Sequence, residues 1–233
     1  MIKKKIKLFA DGLKIDQFDI DFGIEIDGYT FNPSIFKNHG ARDYLHYSKE
    51  LVLKSKDKPI SLEVFADSKD EMIKQANILN DLGKNIFVKI PITYTDQEYT
   101  TDVLEILVKN KIKINLTAIF TFNQIRKVLP ILKDTQTILS VFAGRIYDSG
   151  IDASETMKVI CDYVNENSDC EVLWASPRMP YDYISASNVG AKIITMQPDQ
   201  IKKIKSFGKN LDDYSLETVK QFFDDANSSG FKI

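Results

Sequence analysis

The chain has 233 residues, with 31 lysines and arginines against 33 acidic side chains, a net charge of −2 and a pI near 5.8. Charges of both signs are scattered along it, so it lacks the basic surface a nucleic-acid partner needs. No apolar run approaches the roughly 18 residues of a membrane span, and two cysteines, Cys161 and Cys170, are too few for a disulfide framework or a zinc site.

The start, Met1-Ile2-Lys3-Lys4-Lys5, looks like a signal-peptide n-region. The apolar stretch after it ends at Asp11, too short for an h-region, and a soluble cytoplasmic protein with reduced thiols is expected. His39 and His46 are seven apart on an expected helix, with no third ligand near them, and read as solvent-facing residues rather than a metal site.

Short apolar, β-branched or aromatic segments recur at 6–11, 28–32, 60–66, 86–91, 114–120, 138–144, 171–176 and 192–197. Amphipathic stretches follow at 35–55, 68–82, 97–110, 122–132, 153–166, 180–189 and 199–206, with the weakest helical signal over 12–24. Asp67 or Ser68 can cap the helix after the third strand, and Asp152 or Ser154 the one near 153. A further helix near 215–227 lies in a C-terminal segment spanning 207–233, with Gly230 beyond the helix.

Strands alternating with helices imply parallel pairing through right-handed crossovers. Eight such units, no Gly-x-Gly-x-x-Gly after any strand and no Pro/Gly/Ser-rich linker predict one α/β domain over 1–233, a (β/α)8 TIM barrel with an extra C-terminal helix.

Side chains alternate along a strand, so residues of one parity point into the barrel. With Val88 and Ile90 outward, Lys89 points in. With Leu62 and Val64 outward, Glu63 points in. With Leu116, Ala118 and Phe120 toward the helices, Asn115 and Thr117 point in. Ser140 and Phe142 share the inward parity of the sixth strand and Ser176 that of the seventh, while Asp11 and Asn32 end the first two. Polar side chains in so many apolar strands are costly as packing, and barrel enzymes carry their chemistry at these strand ends. Only four arginines stand against 27 lysines, and two of them, Arg145 and Arg178, lie just past strands six and seven, where bidentate phosphate recognition would place them.

These residues resemble the transaldolases, and in size and layout their small subfamily, which includes the fructose-6-phosphate aldolases. Asp11, Thr30-Phe31-Asn32-Pro33-Ser34, Val88-Lys89-Ile90-Pro91, Asn115-Leu116-Thr117 with Phe120-Thr121, Phe142-Ala143-Gly144-Arg145 and Ser176-Pro177-Arg178 match the family's motifs in order. Glu63, where the aldolases have glutamine, and Phe142, where they have tyrosine, favour transaldolase. Gly12, Val141, Pro177 and one extra residue before Pro198 depart from the pattern at the expected pocket rim.

The resemblance implies a class I aldolase-like enzyme with no metal or organic cofactor. It moves a dihydroxyacetone unit from a phosphorylated ketose donor to an aldose phosphate acceptor. Lys89 would form the Schiff base. Glu63 would shuttle protons through a water held by Thr117, and Asp11 would take the C4 hydroxyl proton. Asn32, Asn115 and Ser140 would hold hydroxyls, Phe142 would keep a proton source from the enamine, and Arg145, Ser176 and Arg178 would anchor phosphate. The small members form pentamer-based rings, so a homo-oligomer, pentamer or decamer, is implied. The alternatives are aldolase cleavage releasing free dihydroxyacetone and, from another class, a non-catalytic barrel that only binds phosphosugars.

Overall fold

The computed structural model describes residues 6–233, so the basic Met1–Lys5 start lies outside the described residues. Eight strands, β1 (Lys7–Asp11), β2 (Gly28–Thr30), β3 (Ile60–Glu63), β4 (Ile86–Pro91), β5 (Ile114–Ile119), β6 (Ile138–Val141), β7 (Glu171–Trp174) and β8 (Ile193–Met196), pair in sequence order and in parallel. The last pairs with the first, so the sheet closes into the expected TIM barrel. The helices are α1 (Pro33–Asn38), α2 (Tyr44–Ser55), α3 (Lys69–Asn80), α4 (Thr101–Lys109), α5 (Phe122–Leu132), α6 (Ala143–Asp148), α7 (Ala153–Asn167), α8 (Asp182–Asn188), α9 (Pro198–Ile204) and α10 (Leu211–Ser229).

Local chemistry sets the helix ends. Thr121 and Gln124 form a reciprocal capping box on α5, Asp152 accepts from Ser154 N at 2.8 Å on α7, and Asn210 caps α10, which ends on left-handed Gly230. Ser68 opens α3 without a side-chain capping bond. Apolar side chains from the outer faces of the strands and the inner faces of the helices form one continuous layer around the barrel. A second, smaller cluster of Phe9, Ile138, Leu173, Ala175 and Ile193 fills the barrel interior. It forms an apolar floor under the polar residues of the mouth. Among the described residues no helix is long and apolar enough to cross a membrane.

Four expectations are corrected. The stretch 35–55 is two helices, α1 and α2, broken where Gly40 adopts φ +76°. His39 and His46 therefore do not share a helix: half-buried His39 Nδ1 lies 2.9 Å from Tyr47 Oη, while exposed His46 lies 3.8 Å from Glu50. The segment 12–24 holds only one 3-10 turn, Ile15–Gln17. The stretch 138–144 stops being strand at Val141 because α6 begins at once. Finally, a bulge between Leu116 and Ile119, with Ala118 at φ +60°, reverses the parity late in β5. Ile119, of the inward parity, therefore packs with Leu116 into the outer layer, and Phe120 packs against that layer as expected while also stacking on Phe142 at 5.7 Å between centroids.

Candidate active site

In a closed parallel barrel, neighbours in register put their inward side chains side by side. Glu63 pairs with Lys89, Lys89 with Asn115, and Asp11 with Thr30. This brings the expected residues from separate strands into one layer.

Lys89 is 6% exposed, and its Nζ lies 2.9 Å from Glu63 Oε2 while donating to the Phe31 carbonyl at 3.1 Å. A buried ammonium needs such partners, because an unpaired charge there would be expensive. Glu63 is held from behind by Tyr44, whose hydroxyl donates to the Glu63 carbonyl at 2.7 Å and accepts from the Glu63 N–H at 3.1 Å. Burial pushes the Tyr44 phenol well above its ordinary range, so it stays a neutral brace.

Asp11 Oδ1 accepts from Thr30 Oγ1 at 2.6 Å, and Thr30 Oγ1 is also 2.6 Å from Thr195 Oγ1. Burial raises the Asp11 carboxyl above the usual aspartate value, against the opposing pull of the Thr30 hydrogen bond and the Lys89 charge, with Glu63 adding to the rise. Thr117 Oγ1 is buried with no hydrogen-bond partner among the described residues, a hydroxyl suited to bind something in the barrel mouth.

A cavity of about 210 Å³ opens at this end of the barrel. Asp11, Asn32, Lys89, Thr117, Ser140, Phe142, Arg145, Ser176 and Arg178 line it. Asn32 caps α1 through Oδ1, accepting from Ile35 N at 2.9 Å, which leaves its NH2 group for the cavity. Glu63 and Asn115 do not line it. Asn115 is wholly buried, donating to Ser61 Oγ at 3.0 Å and accepting from Ser140 Oγ at 2.7 Å. Its amide ties three strands together beneath the cavity.

On the opposite wall, α6 and the turn after β7 carry the two arginines. The Arg145 guanidinium lies 5.0 Å from the Phe142 ring centroid. Arg178 Nε donates to Asp148 Oδ1 at 2.9 Å, its Nη2 donates to Asp148 Oδ2, and its Nη1 donates to Ser176 Oγ at 3.1 Å. The hydrogen bonds from Arg178 hold the Asp148 carboxyl below its usual range. Ser176 adopts φ +59°, a conformation non-glycine residues avoid. Gly144 is required where α6 meets β7, since a Cβ there would lie 1.6 Å from the Ser176 carbonyl oxygen.

Sequence reasoning missed Thr30 and Thr195 as partners of Asp11, and Ser61, Tyr44 and Asp148 as supports. Ser61 has the inward parity of Glu63, so the pattern already carried its signal. Gln197 and Gln200, which also line the cavity, enter through α9.

The sequence profile of the Transaldolase/Fructose-6-phosphate aldolase family matches residues 8–233. A protein of Thermoanaerobacter named "Probable transaldolase" is 32% identical over 98% of this chain and 100% of its own length. One of the same name from Methanococcus maripaludis is 37% identical over 91% of this chain and 94% of its own. Among solved structures, "Native KDPGal structure" superposes with a TM-score of 0.56 at 12% identity, covering 91% of this chain and 89% of that one, a likeness of fold alone. By profile and by relatives matched along nearly their whole length, the chain belongs to the transaldolase/fructose-6-phosphate aldolase family of enzymes.

Proposed function

We propose that the chain is a transaldolase, moving a dihydroxyacetone unit from a ketose phosphate to an aldose phosphate through a Schiff base on Lys89. One observation carries this reading: a buried lysine ion-paired at 2.9 Å with Glu63, in a cavity that also holds Asp11 and two arginines. Lys89 Nζ, its extra proton passed to Glu63, attacks the C2 carbonyl, and Glu63 returns a proton to the carbinolamine hydroxyl as water leaves. Thr117, with its unpartnered hydroxyl, holds that water.

Asp11 takes the C4 hydroxyl proton as the C3–C4 bond breaks. The electron pair of that bond is received by the iminium, which becomes an enamine on Lys89. The first aldehyde leaves, the acceptor aldehyde is attacked, and Asp11 returns the proton to the new hydroxyl. Hydrolysis of the iminium frees the product. Asn32 and Ser140 hold hydroxyls of the three-carbon unit, Asn115 fixes Ser140 from below, and Arg145, Ser176 and Arg178 hold phosphate. Phe142 presents a ring without a proton, which favours transfer over release of free dihydroxyacetone.

Relatives named as transaldolases at 32% and 37% identity support the same reading. Free, buried Cys161 and Cys170 suit the reducing cytoplasm. The assembly we propose is a homo-oligomer joined through α10, whose Leu216, Val219, Phe222 and Phe223 are 53–67% exposed, an apolar stripe too large to leave to water. Borohydride reduction with fructose 6-phosphate tests the chemistry. The trapped adduct is expected on the peptide containing Lys89, and adduct formation that survives Lys89→Ala refutes the assignment.

A further inference from the structure

We propose that Thr195 and Thr30 form a one-way hydrogen-bond chain that positions Asp11, holding Oδ1 and leaving Oδ2 to exchange a proton with the substrate. The inference rests on Asp11 acting as the base at the C4 hydroxyl.

Each threonine hydroxyl has one proton to donate. Thr30 Oγ1 is 2.6 Å from both Asp11 Oδ1 and Thr195 Oγ1. An ionised carboxylate only accepts, so the Thr30 proton goes to Asp11, and Thr30 must then accept the proton of Thr195. The direction is fixed: Thr195 to Thr30 to Asp11. Both threonines are at most 4% exposed, and both border the cavity beside Asp11. The barrel supplies the alignment, because β1 pairs with β2 on one side and β8 on the other, and Asp11 and Thr30 are register partners.

This direction has a chemical consequence. When Asp11 takes the substrate proton on Oδ2, Oδ1 becomes the carbonyl-like oxygen of a carboxylic acid and still accepts from Thr30. The chain need not reverse, and the proton cannot pass along it into the barrel wall. It stays on the oxygen facing the substrate and goes back to the alkoxide formed when the acceptor is attacked. Thr30 and Thr195 are therefore positioning residues in a reaction whose two halves borrow and return one proton.

Other charged groups face Asp11 too: Lys89 from β4, whose charge favours the ionised form, and Glu63 from β3, whose charge opposes it. Substitution of either threonine leaves both in place, so the hydrogen bond can be isolated. Thr30 stabilises the ionised carboxylate, and its loss makes Asp11 hold its proton to higher pH. The test is the pH profile of kcat/KM for transfer from fructose 6-phosphate to erythrose 4-phosphate. Thr30→Val should move the acid limb up by about one pH unit, the equivalent of one hydrogen bond to a charged group. Thr30→Ser, which keeps the hydroxyl, should restore it. Thr195→Val, which leaves the Thr30–Asp11 contact intact, should give a smaller shift in the same direction.

An unchanged acid limb in Thr30→Val overturns the proposal. If that variant does not fold, an unchanged limb in Thr195→Val overturns it instead. Asp11→Asn separates the two layers of the argument. Activity retained at the wild-type level there means Asp11 is not the base, whereas lost activity with unshifted threonine variants rejects the chain alone.

Discussion

Replacing Arg178 with alanine measures how much of substrate binding depends on phosphate. The guanidinium has five N–H donors. Asp148 and Ser176 engage three of them, which leaves two for a ligand. A hydrogen bond to a charged group contributes about 1.5–3 kcal/mol. The Arg178 side chain is 40% exposed, so solvent screening brings the pair of contacts to or below the bottom of their summed range. A loss of about 2–3 kcal/mol corresponds to a fall of about 30- to 150-fold in kcat/KM for fructose 6-phosphate.

The assay compares that substrate with an unphosphorylated aldol pair, dihydroxyacetone and glyceraldehyde, whose rate should change little. Removing Arg178 also leaves the Asp148 carboxylate facing the incoming phosphate, so Arg178→Ala with Asp148→Asn should recover part of the loss. Equal losses for phosphorylated and unphosphorylated substrates would show that Arg178 is structural. So would failure of the second substitution to recover any activity, because the charge argument requires the gain.

Phe142→Tyr should raise acceptor-independent release of dihydroxyacetone relative to transfer, since a hydroxyl on the ring places a proton source beside the enamine; the ratio of free to transferred product reads this, and an unchanged ratio assigns Phe142 to packing alone. Leu216→Glu with Phe223→Glu puts charge on the apolar stripe of α10 and should lower the mass seen by light scattering while the far-ultraviolet circular dichroism stays the same; an unchanged mass removes α10 from the subunit contact.

The barrel was legible because a period of two, repeated eight times between helical stretches, admits few other folds. The inward parity of Lys89, Glu63, Asn115 and Thr117 followed from the same period, and the structure puts all four inside. Parity does not reveal depth or partners. It could not distinguish Thr117, which lines the cavity, from Asn115, which lies beneath it. Nor could it join Asp11 to Thr195, 184 residues away along the chain. The β5 bulge was invisible because Ala118 is not the glycine that usually announces a left-handed residue. The short α6 was hidden in a stretch that reads as continued strand. Asp148 gave no signal, since an aspartate at the end of a short helix looks like any surface acid until Arg178 is seen beside it.

The backbone contact at Gly144 has a further consequence. Because α6 and the turn after β7 touch without room for a Cβ, the backbone segments that carry Arg145 and Arg178 are held against each other, and Lys89 belongs to the same closed barrel. In the proposed reaction the span from the Lys89 amine to the two guanidinium groups would act as a ruler. A ketose phosphate of matching chain length would reach both ends at once, and a shorter or longer sugar would give up one of them. Discrimination by length would then follow from the spacing between β4 and the turn after β7.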